Sequence, residues 1–136
     1  MSQLNLNVVR SLYDAFESRD LEAVLRYLAP DVEIVASEGL PWSGTYHGPG
    51  GFADFVGAVE EHMRLSFETD ELIESGESVA QIGAMVGEVH GANTTFWARS
   101  IHLWHLREGK VVSFQNYPDT RTQRIALGLP LEDEGA

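Results

Sequence analysis

Thr95-Phe96-Trp97-Ala98-Arg99-Ser100-Ile101-His102-Leu103-Trp104-His105-Leu106 carries the strongest strand signal in the chain. Side chains alternate between the two faces of a strand. If His102 points inward, so do Ala98, Ser100 and Trp104. Trp97, Arg99, Ile101, Leu103 and His105 then point outward. An outward row of Trp97, Ile101 and Leu103 is too apolar for free solvent and suits a dimer interface. Glu108-Gly109 follows as a tight hairpin turn of the type that strand twist favours. Residues 111–117 return as the next strand, with Phe114 and Asn116 on the inner side.

Upstream, residues 79–90 form a long β-like run, bounded by turns at Ser75-Gly76-Glu77 and Gly91-Ala92-Asn93. Residues 65–74 alternate weakly and complete the group. The front of the chain reads differently. Val8, Val9, Leu12, Tyr13 and Phe16 recur at helical spacing. Arg19-Asp20 breaks that run, and Asp20 suits an N-cap. Leu21, Val24, Leu25 and Leu28 are then the apolar face of a second helix, ended by Ala29-Pro30. Residues 32–36 read as a strand. Residues 38–51 read as a loop, rich in Gly and Pro. A third helix is predicted from about Gly50, burying Phe52, Phe55, Val56, Val59 and Met63. A short helix is predicted over 119–127. The order α-α-β-α-β-β-β-β places helices in front and antiparallel strands behind, which is an α+β arrangement with helices on one face of a curved sheet.

The whole chain has 136 residues, enough for one domain with a substantial core. The predicted division is a single domain over 1–128 and an acidic tail over 129–136. The 43% of hydrophobic residues argues against disorder, and the net charge of −12 argues against nucleic acid and anionic membranes as partners. There is no cysteine, which removes disulfides and thiolate chemistry. Residues 1–10 lack a charged segment followed by an apolar stretch, and no apolar run reaches the roughly 20 residues of a membrane span. A cytoplasmic protein is the expectation.

Several pieces, taken in order, carry a family resemblance. They are Val8-Val9-Arg10-Ser11-Leu12-Tyr13-Asp14-Ala15-Phe16 with Arg19-Asp20-Leu21, then Leu28-Ala29-Pro30-Asp31-Val32, then Trp42-Ser43-Gly44-Thr45-Tyr46-His47-Gly48 with Phe52 and Phe55. Glu108-Gly109-Lys110-Val111-Val112-Ser113-Phe114 and Tyr117-Pro118-Asp119 complete the set. Over about residues 5–128 the chain resembles the nuclear transport factor 2-like superfamily, in its SnoaL-like and ketosteroid-isomerase-like branch. The resemblance implies a cone-shaped, cystatin-like α+β roll. A bent sheet curls around the long first helix and leaves an apolar pocket open at one end. It also implies a homodimer through the sheet face.

Ketosteroid isomerases use an aspartate base, a tyrosine and a protonated aspartic acid. Their positions fall here on Ala36, on Leu12 (with Tyr13 beside it) and on His102, so none is kept. An acid of the epoxide-hydrolase branch falls on Asn116, and the nearest carboxylate for SnoaL-type cyclisation is Asp119.

His102 is the first candidate for proton transfer, because free imidazole titrates near neutrality. The plainer reading is a buried neutral histidine in a polar network. Glu38, at the expected pocket mouth, is a candidate base, or else a solvated loop carboxylate. Tyr13 and Asn116 are candidate hydrogen-bond donors to a substrate. Leu12, Phe16, Ala36, Trp42, Phe55, Val59, Ser100, Trp104 and Phe114 are the expected ligand-binding walls. No metal site is expected, because His102 and His105 lie on opposite strand faces and no helical histidine pair occurs. No cofactor is expected either, since a dinucleotide glycine fingerprint is missing. The leading expectation is proton-transfer chemistry, of isomerase, cyclase or dehydratase type, on a hydrophobic carbonyl-bearing small molecule. The alternative is a non-catalytic module that binds a hydrophobic metabolite or dimerises.

Overall fold

The computed structural model describes residues 2–130. The acidic residues of the predicted tail, Glu132-Asp133-Glu134, lie outside the described residues. Helix α1 spans Ser2–Glu17 and α2 spans Leu21–Arg26. Strand β1 covers Leu28–Ala36 and β2 covers Gly44–His47, followed by α3 over Gly48–Glu60. Then come β3 over Met63–Ser75, β4 over Ser78–Val89, β5 over Thr94–Arg107 and β6 over Lys110–Pro118. Helix α4, Thr120–Leu127, closes the series.

Local chemistry explains the breaks. Arg19 takes a positive φ of 61°, which stops α1. The Asp20 carboxylate accepts the Ala23 N–H at 3.1 Å and starts α2. Glu108 and Gly109 both have positive φ, 54° and 77°, as a two-residue turn between twisted strands requires. Pro49 stands in the first turn of α3, where a missing N–H costs nothing.

The six strands form one sheet in the order β2-β1-β6-β5-β4-β3. Its inner face meets α1 and α3 over a single core that includes Val9, Leu12, Ile34, Phe52, Val59, Trp104 and Phe114. In β5 the alternation is regular: Phe96, Ala98, Ser100, His102, Trp104 and Leu106 are buried, while Trp97, Arg99 and Ile101 are exposed. The sheet bends where β3 carries an extra residue between Thr69 and Glu71. Gly83 lies opposite this bulge, and a Cβ there would come within 1.9 Å of the Glu68 carbonyl oxygen. Gly87 likewise leaves room for the Phe96 ring, which a Cβ would meet at 2.4 Å.

The α+β cone stands as expected, with differences in detail. The β1–β6 seam is parallel, whereas the other pairings are antiparallel. No turn joins β1 to β6, so no hairpin dictates their polarity. The Gly- and Pro-rich stretch 38–51 contains β2, a four-residue edge strand against Glu33–Ala36. The second helix ends at Arg26, and Leu28 belongs to β1. Pro30 disfavours helix at the residue before it, and the Tyr27 carbonyl instead accepts from Val111 N–H at 2.8 Å. The third helix begins at Gly48, and Met63, fully buried, opens β3 instead of closing that helix.

Candidate functional site

Between the helices and the inner sheet face lies a cavity with about 60 Å³ open to the centres of water molecules. One water needs roughly 10–15 Å³, so several waters or part of a ring fit. Leu12, Tyr13 and Phe16 of α1 line one wall, and Phe55 and Val59 of α3 line another. Trp42 enters from the loop after β1. His102 and Trp104 of β5, with Phe114 and Asn116 of β6, form the sheet side. Ten of the residues singled out above therefore meet here. A vestibule of about 190 Å³ between α1, α2 and α3 shares Phe16, Val24, Val56 and Glu60 with the cavity.

At the centre runs a chain of hydrogen bonds. Trp104 Nε1–H donates to the Tyr13 hydroxyl oxygen at 3.0 Å. Tyr13 Oη lies 2.6 Å from His102 Nδ1. The indole can only donate. The tyrosine hydroxyl accepts from Trp104, and among the described residues His102 Nδ1 is the acceptor within reach of its own proton, so the arrangement that satisfies both groups has Tyr13 donating to Nδ1. That places the imidazole proton on Nε2, for which the described residues supply no hydrogen bond. Phe67 and Phe114 pack against the ring with centroids at 5.0 and 5.2 Å. Burial in this aromatic box pushes the His102 pKa down to about 3. The same desolvation pushes the Tyr13 phenol well above its ordinary value, outweighing the opposing effect of the Trp104 bond. Both groups are neutral at pH 7.

In sheet register His102 sits between Gln81 of β4 and Asn116 of β6. Gln81 is fully buried and donates from Nε2 to Thr69 Oγ1 at 3.0 Å. The Asn116 Oδ1 atom is buried without a partner among the described residues. So is Oε1 of Gln123, a residue of α4 that also lines the cavity. The only charged side chain in the lining among the described residues is Glu60, which is exposed.

Glu38, Ala36 and Ser100 lie apart from these walls. Glu38 is exposed, because the chain leaves the sheet after β1, and it borders an outer groove with Ala36 and Tyr117. Ala36 is buried against the core. Ser100 is buried in β5, one inward position from His102, with its Oγ unpartnered among the described residues. Asp119 caps α4, accepting from the Thr122 hydroxyl at 2.7 Å and the Thr122 N–H at 3.1 Å. These bonds, the hydroxyl's first, hold its pKa below the usual carboxylate value. It is exposed and is a structural cap away from the cavity. Sequence reasoning missed Gln123 and Phe67. The polar Gln123 gives no hint of burial on a short helix, and Phe67 lies in the weakly alternating run. Among the described residues no group of three or more His, Asp or Glu converges as a metal site.

A family model for the SnoaL-like domain matches residues 9–114. The chain belongs to the SnoaL-like family. The SnoaL-like match spans α1 through β6 up to Phe114, and so holds most of the cavity walls but stops short of Asn116 and α4. Solved structures agree. A nuclear transport factor 2-like protein of unknown function from Burkholderia pseudomallei is 31% identical, with a TM-score of 0.86 over 91% of this chain and 97% of that one. TerC, co-crystallised with polyporic acid, is 27% identical, with a TM-score of 0.86 over 92% and 98%. A Catenulispora acidiphila protein of ketosteroid-isomerase-like fold, in complex with trimethylamine, has a TM-score of 0.78 at 18% identity over 90% and 93%. At that identity only the fold is shared. No curated protein matched the chain. Among the described residues no helix is long and apolar enough to cross a membrane.

Proposed function

We propose that the protein binds an uncharged, hydrophobic, carbonyl-bearing small molecule in this cavity, with His102 Nε2–H donating to the carbonyl. The observation that carries the reading is the Trp104–Tyr13–His102 chain, which leaves one N–H of a neutral imidazole for a ligand. The aromatic walls supply the apolar contact. The TerC structure with polyporic acid, on a chain 27% identical, supports a small-molecule role.

The same chemistry argues against His102 as a proton carrier at neutral pH. Its conjugate acid, with a pKa of about 3, is scarcely populated at pH 7, so the ring is a weak base. A relay through Tyr13 requires a tyrosinate that burial disfavours. Any catalysis here runs through polarising a carbonyl by a neutral donor in a water-poor site.

NMR titration with acetophenone and ethylbenzene tests the proposal. Wild-type protein is expected to prefer the ketone about tenfold, and His102→Phe to lose that preference. The affinity is expected to stay level from pH 5.5 to 8.5. An equal preference in His102→Phe, or a step in affinity near pH 6.5, would sink the proposal.

A further inference from the structure

Gln123 sits in the middle of α4, 1% exposed, with its side-chain Oε1 unpartnered among the described residues. The helix does not need an amide there. Asp119 caps its start, and Gly128 ends it with a left-handed φ of 75°. Arg124 pins it by donating to the carbonyls of Gly39 and Pro130. Among the described residues the Gln123 amide has no hydrogen-bond partner, and the residue lines the cavity. Asn116 is also a residue of the cavity lining, and its Oδ1 is buried and unpartnered among the described residues. Its register partner is His102, so its amide and the imidazole share the inner face of adjacent strands.

A buried amide is costly unless hydrogen-bonded, whereas an apolar side chain of similar shape carries no such cost. Two such amides converge on one cavity. Their oxygens are acceptors, whereas His102 Nε2–H is a donor. Among the described residues no cation lines the cavity, so a ligand carboxylate would find no charged partner there.

We infer that Gln123 and Asn116 recognise a hydroxyl group, so that the ligand is an uncharged ring compound bearing both a carbonyl and a hydroxyl. This rests on the cavity being a ligand site, as proposed above. His102 takes the carbonyl, while the hydroxyl donates its one proton to one amide oxygen and accepts an N–H from the other amide. Gln123 is the specificity-determining residue that α4 delivers to the SnoaL-like cone.

Calorimetric titration with 4-hydroxyacetophenone and acetophenone tests the inference, alongside thermal melts. Wild-type protein is expected to bind the hydroxylated ketone about tenfold more tightly. Gln123→Leu and Gln123→Met are expected to narrow that ratio to about twofold, chiefly by weakening the hydroxylated ketone, and to melt no lower than wild type. A tenfold preference that survives in both variants overturns the inference, the amides then holding only water. Equal affinity of the wild type for the two probes overturns the inference alone. Binding of neither probe overturns the binding reading together with it. A lowered melting temperature in both variants makes Gln123 a packing residue and also overturns it.

Discussion

His102 is held neutral by its surroundings and not by an ion pair. Phe67, Phe114 and Tyr13 pack against it, and the described residues place no carboxylate within hydrogen-bond reach. This has a consequence for stability. In the unfolded chain the imidazole titrates at its ordinary 6.5, and in the fold at about 3. Between those values the unfolded state binds a proton that the folded state refuses. The stabilisation is therefore fully present above pH 6.5 and is lost as pH falls toward 3. The slope is about 1.4 kcal/mol per pH unit in that window. Urea unfolding at pH 7.5 and 5.5 is expected to show a loss of about 1 kcal/mol or more in wild type. His102→Gln, which keeps a side-chain acceptor for Tyr13, is expected to lose measurably less. Equal losses in the two proteins would mean that other groups carry the pH dependence. At this scale the sequence was partly legible. Strand parity places His102 inward beside Trp104, as the fold does. The contact with Tyr13 was not legible, because it joins residues 89 positions apart.

Among the elements, the β3–β4 pair sets the curvature of the cone. Gly83 allows β3 to bulge over it, and the 1.9 Å approach to the Glu68 carbonyl leaves no space for a methyl group. Gly83→Ala is expected to destabilise the protein by about 2–3 kcal/mol, as overpacking against backbone does. Gly57 is the internal comparison. It lies within α3 with open space around it, so Gly57→Ala is expected to stabilise by about 0.5–1 kcal/mol. Chemical denaturation of the two variants checks this contrast, and a Gly83→Ala protein as stable as wild type would contradict the account of the bend. The helices and long strands were readable from periodicity, because each buries one face. Strand β2 was not, since four residues within a Gly- and Pro-rich stretch hold their shape only by pairing with β1.

In the molecule as a whole, the acidic side chains of the described residues stay off the cavity wall, apart from Glu60. The outer sheet face is unusual in exposing Trp97 (50%), Ile101 (44%) and Tyr117 (54%). Charges fringe it: Trp97 donates to Glu68 at 2.9 Å, and Arg99 lies over the Trp97 ring and 3.4 Å from Asp70. We propose that this face joins two copies of the chain, as the alternation of β5 suggests. Sedimentation is expected to show a dimer for wild type and a monomer for Ile101→Glu, with the melting curve of the monomer still cooperative. A monomeric wild type would dispose of the proposal.

Taken alone, the sequence was sufficient for the α+β order, the two faces of β5 and the helical faces that build the core. These are local properties, because hydrophobic period and turn chemistry act over a few residues. The tertiary structure decided the rest. It set the parallel seam between β1 and β6, the aromatic burial that keeps His102 neutral, and the arrival of Gln123 from the last helix. Each depends on groups far apart in the chain, brought together only when the sheet bends around α1. Burial, which shifts the chemistry of every one of these groups, is a property of that closed cone and not of any segment of it.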